Sequence, residues 1–471
     1  MEEESEVETM DVSDTIEEEE SEDADTIEEE DESEPEQSES EDHNGEQPPK
    51  RKVYLPGHRL KNNEVLEPDS SAYVMLHEAY AGTPCLSFDI VPDNLGNSRE
   101  TFPHTCYMVC GTQAEKKNKN GLIVMKLSNL RKTLKEKEDE DDPSDSSSEE
   151  ELDAYGMNAK APVMNSSTIS HFGCVNRIRT CQMNNTILAA SWSELGRVSI
   201  WDLKTHLSDV EKRSTIRLRN NKKNKKPPPQ GEVMTKPLYT FSGHLQEGYA
   251  MDWSSTVPGV LATGDCSSNI HLWSPQENGW NVDQRPLKSH TKSVEDLQWS
   301  PNENNVLASC SVDKSVKIWD IRAAPSKACM LSVDAHSSDV NVISWNRSEP
   351  LIVSGGDDGY LKVWDLRQFK KDAAVATFKH HTEPVTTVEW HPSDSSVFAS
   401  GGEDNQIAIW DLSVERDNEL SEDEIKEIPP QLLFIHLGQE CVKELHWHPQ
   451  IPGAIISTAQ NGINVFKTIS V

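Results

Sequence analysis

Between Leu238 and Phe466 three residue types recur in register. His244, His290, His336 and His381 stand 46, 46 and 45 residues apart, Trp253, Trp299, Trp345 and Trp390 follow at the same intervals, and Trp273, Trp319, Trp364 and Trp410 recur at 46, 45 and 46. The last series opens the dipeptides Trp319-Asp320, Trp364-Asp365 and Trp410-Asp411. A period in the mid-forties is the length of one four-stranded blade, and such a unit buries its apolar faces only by stacking on copies of itself. The chain is therefore expected to be all-β, a WD40 β-propeller.

Each unit has the patterning that a blade needs. After His290 the run Val294-Glu295-Asp296-Leu297-Gln298-Trp299 alternates apolar and polar, as a half-buried strand does. A polar set travels with the ladder: a hydroxyl ten residues before the terminal Trp (Ser191, Thr263, Ser309, Ser354, Ser400) and, in three units, an aspartate six before it (Asp313, Asp358, Asp404). The sets His290, Ser309, Asp313, Trp319; His336, Ser354, Asp358, Trp364; and His381, Ser400, Asp404, Trp410 can each form a buried chain from indole through hydroxyl and imidazole to carboxylate. Ser, His and Asp together suggest hydrolase chemistry, but a nucleophile is needed once and a clamp in every blade. The sets are read as structural, with no catalytic residue, no metal site and no cofactor.

Counting outward gives seven blades. The first spans residues 84–127 and the second runs from His171 to Trp201; the third is taken to begin at Tyr239, and the last runs loosely from His436 to Phe466. The chain end then lacks an outer strand, which residues 71–76 can supply from the N-terminal side, removing an exposed edge. The expected organisation is an acidic tail at 1–49, a linker at 50–70 and a propeller at 71–471. Its inserts are acidic at 128–160, basic at 205–236 and acidic at 413–431, each between a blade's third and fourth strands.

Charge divides the remainder. Residues 1–49 hold 25 Asp and Glu with no Lys or Arg, out of a net charge of −36 for the chain, so the rest carries −11. Such a segment cannot bury a core and is expected to be disordered. Lys222, Lys223, Lys225 and Lys226 fit an import signal for the nucleus; a contact with RNA or with the acidic tail also fits. A primary nucleic-acid role is disfavoured, because the tail competes with phosphate for basic patches. No apolar run is long enough to span a membrane, and nine cysteines without a paired framework suggest reduced thiols. Ser38, Ser40, Ser146, Ser147, Ser148 and Ser421 precede acidic runs and suit an acid-directed kinase.

The segment Asp411-Leu412-Ser413, an acidic stretch, and then Pro429-Pro430-Gln431-Leu432-Leu433-Phe434-Ile435-His436 resembles the last-blade insert of the histone-binding WD proteins related to retinoblastoma-binding and chromatin-assembly subunits. Val175-Asn176-Arg177, Glu247-Gly248-Tyr249 and Val294-Glu295-Asp296 agree with it. The glutamate-loaded N terminus and Lys52-Val53-Tyr54-Leu55-Pro56-Gly57 look like a glutamate-rich branch of that superfamily, nuclear and nucleolar, and similar to ribosome-assembly chaperones. The resemblance implies that a basic peptide is held at the channel mouth by Asn176, Glu247, Tyr249, Glu295 and Asn341. The same ring position, four residues before the first-strand Trp, adds Thr386 and Lys443. Cys174 stands where an acid is expected, and Lys443 where the family has a small polar residue. A second family site, for a histone helix, would use Glu422, Asp423, Glu424, Pro429 and Pro430 with an N-terminal helix, which Pro56, Gly57 and Pro68 argue against.

The expected function is a nuclear and nucleolar escort for a basic client, a new ribosomal protein of the large subunit or a histone, with no small-molecule substrate. An alternative rests on Trp319-Asp320-Ile321-Arg322 and Trp364-Asp365-Leu366-Arg367. Through Arg322 and Arg367 these resemble boxes by which some propellers dock on the adaptor of cullin ubiquitin ligases.

Overall fold

A computed structural model describes residues 67–133, 161–221, 235–415 and 429–471. These residues form seven four-stranded antiparallel sheets, and the strands nearest the axis contact one another in a closed ring. The chain is the seven-bladed propeller expected from the repeats. The inner strands are Cys85–Val91, Val175–Met183, Ala250–Trp253, Val294–Trp299, Val340–Trp345, Val385–Trp390 and Glu444–Trp447. The corresponding outer strands are Val163–Ser170, Tyr239–Phe241, Gly279–Val282, Cys329–Asp334, Ala376–Lys379, Leu432–His436 and, for the seventh sheet, Tyr73–Ala79.

Tyr73–Ala79 pairs antiparallel with Gly462–Thr468, so the start of the described chain covers the edge left by its end. The Tyr73 hydroxyl lies 2.8 Å from His436 Nδ1 and ties this strand to the sixth sheet. Tyr239, by contrast, does not open the third blade. It pairs with Ile200 as part of the outer strand of the second sheet. Sequence repeat and sheet are out of phase by one strand, so each repeat reaches into its neighbour.

The core consists of seven apolar wedges, one between each pair of adjacent sheets; Trp192, Trp253, Trp273 and Trp280 fill the wedge between the second and third. Side chains also stitch one inner strand to the next. The Trp253, Trp299, Trp390 and Trp447 indoles donate to the carbonyls of Arg179, Asp252, Ser344 and Glu389 at 3.0–3.1 Å, each on the preceding sheet. This gives the first-strand tryptophan series a physical reason: each is both wedge and bolt.

The basic insert holds an α-helix, Lys204–Asn221, that the sequence analysis did not foresee. Leu203, Val210 and Leu207 pack against Ile169 and Trp201, Glu211 pairs with Lys126 at 2.9 Å, and Arg213 pairs with Asp209 at 2.8 Å. Its many charges hide the short apolar stripe that docks it. Among the described residues no helix is long and apolar enough to cross a membrane, and all nine cysteines are free.

Candidate functional site

Every loop that joins an outer strand to the next inner strand emerges on the same face, because the strands alternate in direction. On that face the inner strands share a local irregularity. Pairing with the second strand skips a residue between Cys85 and Ser87, Val175 and Arg177, Val294 and Asp296, Val340 and Val342, and Val385 and Thr387. The skipped residues are Leu86, Asn176, Glu295, Asn341 and Thr386. A β-bulge frees a residue from the ladder and re-aims its side chain, here toward the channel mouth. Tyr249 and Lys443 immediately precede Ala250–Trp253 and Glu444–Trp447, so they too lie outside the ladder. Leu86 completes a ring of seven; sequence reasoning missed it because the first sheet has no first-strand Trp to count back from.

The ring is unequal in its hydrogen bonding. Asn176 is buried, and its Nδ2 donates to Glu247 Oε2 at 2.8 Å, so it positions the acid. Gly248, between Glu247 and Tyr249, has no room for a side chain: a Cβ there would lie 2.2 Å from Gly264 O and 2.7 Å from the Trp192 ring. Burial and then the Glu247 charge push the Tyr249 hydroxyl up to about 12, so it stays protonated. Burial likewise raises the Glu295 carboxyl, with Asp339 and Asp296 adding to the shift and Ser293 and Arg177 opposing it. Asn341 donates to Asp357 at 2.8 Å and the Thr386 hydroxyl to Val442 O at 2.7 Å, which leaves little for a ligand. Lys443 Nζ sits 3.2 Å from Glu403 and 2.9 Å from Cys441 Sγ; burial disfavours its charge, but these partners hold its pKa above the ordinary lysine value. Its charge is therefore neutralised locally by Glu403. Cys174, half-buried, lies 3.7 Å from Asn120 Nδ2 and 3.8 Å from Ala114 O.

Beneath the ring lies a charged floor. Arg177 and Arg179 reach Glu444 Oε1 at 2.7 and 2.8 Å, and Arg177 Nε also donates to the carbonyl of Tyr249 at 2.8 Å. Although burial opposes it, these two guanidiniums hold Glu444 well below the usual carboxylate range. His446, 2.9 Å from Glu389 and 3.7 Å from Glu444, is raised to about 10 against its burial. Burial lifts Asp252 to about 7, while its carboxylate accepts from Trp299 N at 2.7 Å. The surrounding cavity, about 80 Å³, holds a few waters at most. A client segment would therefore rest on the mouth and not thread the channel. Arg177 and Glu444 are 267 residues apart in sequence, and no spacing rule finds them.

The remaining sequence-singled residues fall elsewhere. In the fourth, fifth and sixth sheets the indoles of Trp319, Trp364 and Trp410 donate to Ser309, Ser354 and Ser400 at 2.7, 2.9 and 3.0 Å. Those hydroxyls meet His290, His336 and His381 Nε2 at 2.7–2.8 Å. The imidazoles reach Asp313, Asp358 and Asp404 from Nδ1 at 2.9–3.0 Å. The third sheet has the same chain through Thr263, His244 and Asp265, an acid the sequence reading missed because it sits eight residues before Trp273. The second sheet keeps the Trp201–Ser191 bond, but His171 turns to the Gly173 carbonyl. All the clamp hydroxyls are fully buried. Arg322 and Arg367, 68% and 69% exposed, close back on Asp320 and Asp365. Pro429 lies in the turn before Leu432–His436, its carbonyl accepting from Leu432 N at 3.0 Å. Glu422, Asp423, Glu424, Lys222, Lys223, Lys225, Lys226, the acidic tail and the stretch 53–66 lie outside the described residues.

Comparisons with known proteins place these features in context. A family model for the histone-binding protein RBBP4 and its counterpart in the CAF1 complex matches residues 63–131, and one described as "WD domain, G-beta repeat" matches 282–320, 327–365 and 373–411. The chain is 45% identical over 439 residues to "Protein HEAT STRESS TOLERANT DWD 1" of Arabidopsis thaliana, covering 89% of this chain and 92% of that protein. It is 42% identical to "Ribosome assembly protein rrb1" of Schizosaccharomyces pombe, over 90% of this chain and 85% of the relative. It is also 42% identical to "Glutamate-rich WD repeat-containing protein 1" of Dictyostelium discoideum, over 90% and 86%.

Proposed function

Because the chain belongs to the glutamate-rich WD-repeat family, which includes a ribosome assembly protein, we propose that it is a non-catalytic escort for a basic client in the nucleus and nucleolus. The client read as the best fit is a newly made ribosomal protein of the large subunit, with histones as further clients; the match of 63–131 to a histone-binding family supports the latter. The observation that carries the proposal is the arc of Glu247, Tyr249 and Glu295, with Asn176 committed to holding Glu247 in place. A pre-positioned carboxylate pair beside a protonated phenol complements a lysine or arginine with its aliphatic stem. The acidic tail accelerates encounter and the ring sets identity. Recurrence of the Ser, His and Asp sets in three sheets, with their hydroxyls sealed under tryptophan, supports the non-catalytic reading. The Lys222–Lys226 run serves as the import signal in this scheme.

The test is a comparison of client capture at about 150 mM salt, where attraction between exposed charges is screened beyond roughly 8 Å. Glu247→Lys, Glu295→Lys is expected to lose the client while remaining folded, whereas reversal of two tail glutamates leaves capture intact. Undiminished capture by the ring variant rejects the channel mouth and moves the search to Pro429, Pro430 and the acidic insert.

A second reading, a substrate receptor on a cullin ligase adaptor, is favoured by Arg322 and Arg367 standing exposed at matching positions of adjacent sheets. Co-purification of the adaptor with the parent, and its loss in Arg322→Ala, Arg367→Ala, would support it.

A further inference from the structure

The residue that follows the clamp histidine is polar in three sheets, as Thr291, Ser337 and Thr382. After His171 and His244 it is instead Phe172 and Leu245, 62% and 84% exposed. Isolated exposed apolar side chains are ordinary, but these two are joined. The turn that starts at Ser193 bridges them: Ser193 Oγ donates to the Phe172 carbonyl at 3.2 Å, and the Cβ position of Gly196 lies 3.1 Å from the carbonyl of Gln246, next to Leu245. Glu194, in the same turn, bonds through its N–H to the Cys174 carbonyl at 3.1 Å. Leu245 is two residues from Glu247 in a single loop, so the apolar pair is continuous with the acidic arc of the ring.

We infer that Phe172 and Leu245 form an apolar shelf for large apolar side chains interspersed in a basic client segment, so that the chain selects a mixed basic and apolar segment over a purely basic tail. This rests on the proposed role of the channel mouth. Charge complementarity identifies the occupant: Glu194, Glu247 and Glu295 line the border of the shelf and demand lysine or arginine, while Phe172 and Leu245 have no protein cover and demand carbon. A purely cationic tail would leave the shelf wet. A purely apolar segment would leave buried carboxylates without counter-charge. A segment of a protein destined for a packed site carries both kinds of residue, and until it is delivered its apolar side chains are the ones most in need of shelter.

The experiment uses the full chain and two synthetic peptides of equal length and equal lysine and arginine content, one spaced by glycine and the other by leucine and phenylalanine, with affinities read by fluorescence anisotropy at about 150 mM salt. The second peptide is expected to bind about tenfold more tightly, the scale set by burying one or two large side chains. That advantage should vanish in Phe172→Ser, Leu245→Ser, which leaves the glycine-spaced peptide's affinity unchanged. Glu247→Lys, Glu295→Lys should weaken both peptides. If the advantage is missing, or survives in the serine variant while both peptides still respond to the glutamate reversal, the shelf is refuted and the channel-mouth reading stands. If neither peptide responds to the glutamate reversal, both fall. Thermal melts confirm folding, since both replaced side chains are exposed.

Discussion

The side-chain amide of Asn176 donates to the Glu247 carboxylate at 2.8 Å, across the boundary between the second and third sheets. Asn176 also lies 3.4 Å from the Gly248 carbonyl, so one buried residue fixes both the acid and the backbone that carries it. Asn176→Ala is expected to weaken binding of a basic client by about tenfold, the scale of one lost charge-assisted hydrogen bond, with little change in fold. Asn176→Asp should be worse, because it sets two carboxylates against each other. Isothermal titration with the parent and both variants measures this, and equal affinities in all three would remove Asn176 from the site.

The clamps should behave as structure. Asp313→Ala, Asp358→Ala, Asp404→Ala and Asp265→Ala each strand a buried imidazole N–H and should destabilise the fold by about 1–3 kcal/mol. Despite burial, the His290 bond holds Asp313 below the ordinary carboxylate range, and His336 does the same for Asp358. An acid with a depressed folded pKa contributes stability that is present above its unfolded value, about pH 4, and is lost as pH falls further. Denaturant titrations of the parent should therefore show a steep loss of stability below about pH 4, and the loss should be shallower in each Asp→Ala variant.

His446 predicts the opposite limb. Glu389 and Glu444 raise it to about 10, above an unfolded value near 6.5, so its contribution is complete below that value and disappears as pH rises toward 10. His446→Gln should lower the melting temperature at neutral pH and flatten its decline between about pH 7 and 10. A parent whose melting temperature is level across that range would contradict the assigned protonation.

Deleting residues 1–49 removes 25 acids and no bases. The melting temperature is expected to stay nearly constant while association with a basic client slows and loses part of its salt dependence. Stopped-flow association at several salt concentrations reads the second effect directly. A large drop in thermal stability would mean that the tail packs on the propeller.

What the sequence made legible is what every blade repeats. The tryptophan series is fixed because each indole must reach the same carbonyl of the preceding sheet, and the clamp sets are fixed because each buries the same polar chain. Asp265 escaped because the third sheet closes its turn two residues earlier, with Asp265 also accepting from Ser267 N and Asn269 N at 2.9 Å. The ring positions could be counted from the tryptophans, but their bulges could not be seen, since register is a property of two strands. Arg177 with Glu444, and Tyr73 with His436, join distant parts of the chain through closure of the ring. The helix Lys204–Asn221 was hidden because its docking stripe is short and its charge dominates.

Glu295 supplies the most direct probe of the mouth. Its carboxyl is raised by burial, reinforced by Asp339 and Asp296 and opposed by Ser293 and Arg177. It therefore takes up a proton at a higher pH than an exposed glutamate, and a basic client loses one counter-charge when it does. Affinity for a lysine- and arginine-rich peptide should fall as pH is lowered through that raised value. Client binding stabilises the carboxylate, so the bound complex should titrate at lower pH and binding should release protons in this window. Glu295→Gln should bind more weakly at neutral pH and lose most of this pH response, while an exposed tail glutamate replaced by glutamine should preserve it. Titration calorimetry in buffers of different ionisation enthalpy counts the protons. If the parent and Glu295→Gln release the same number, Glu295 does not face the client.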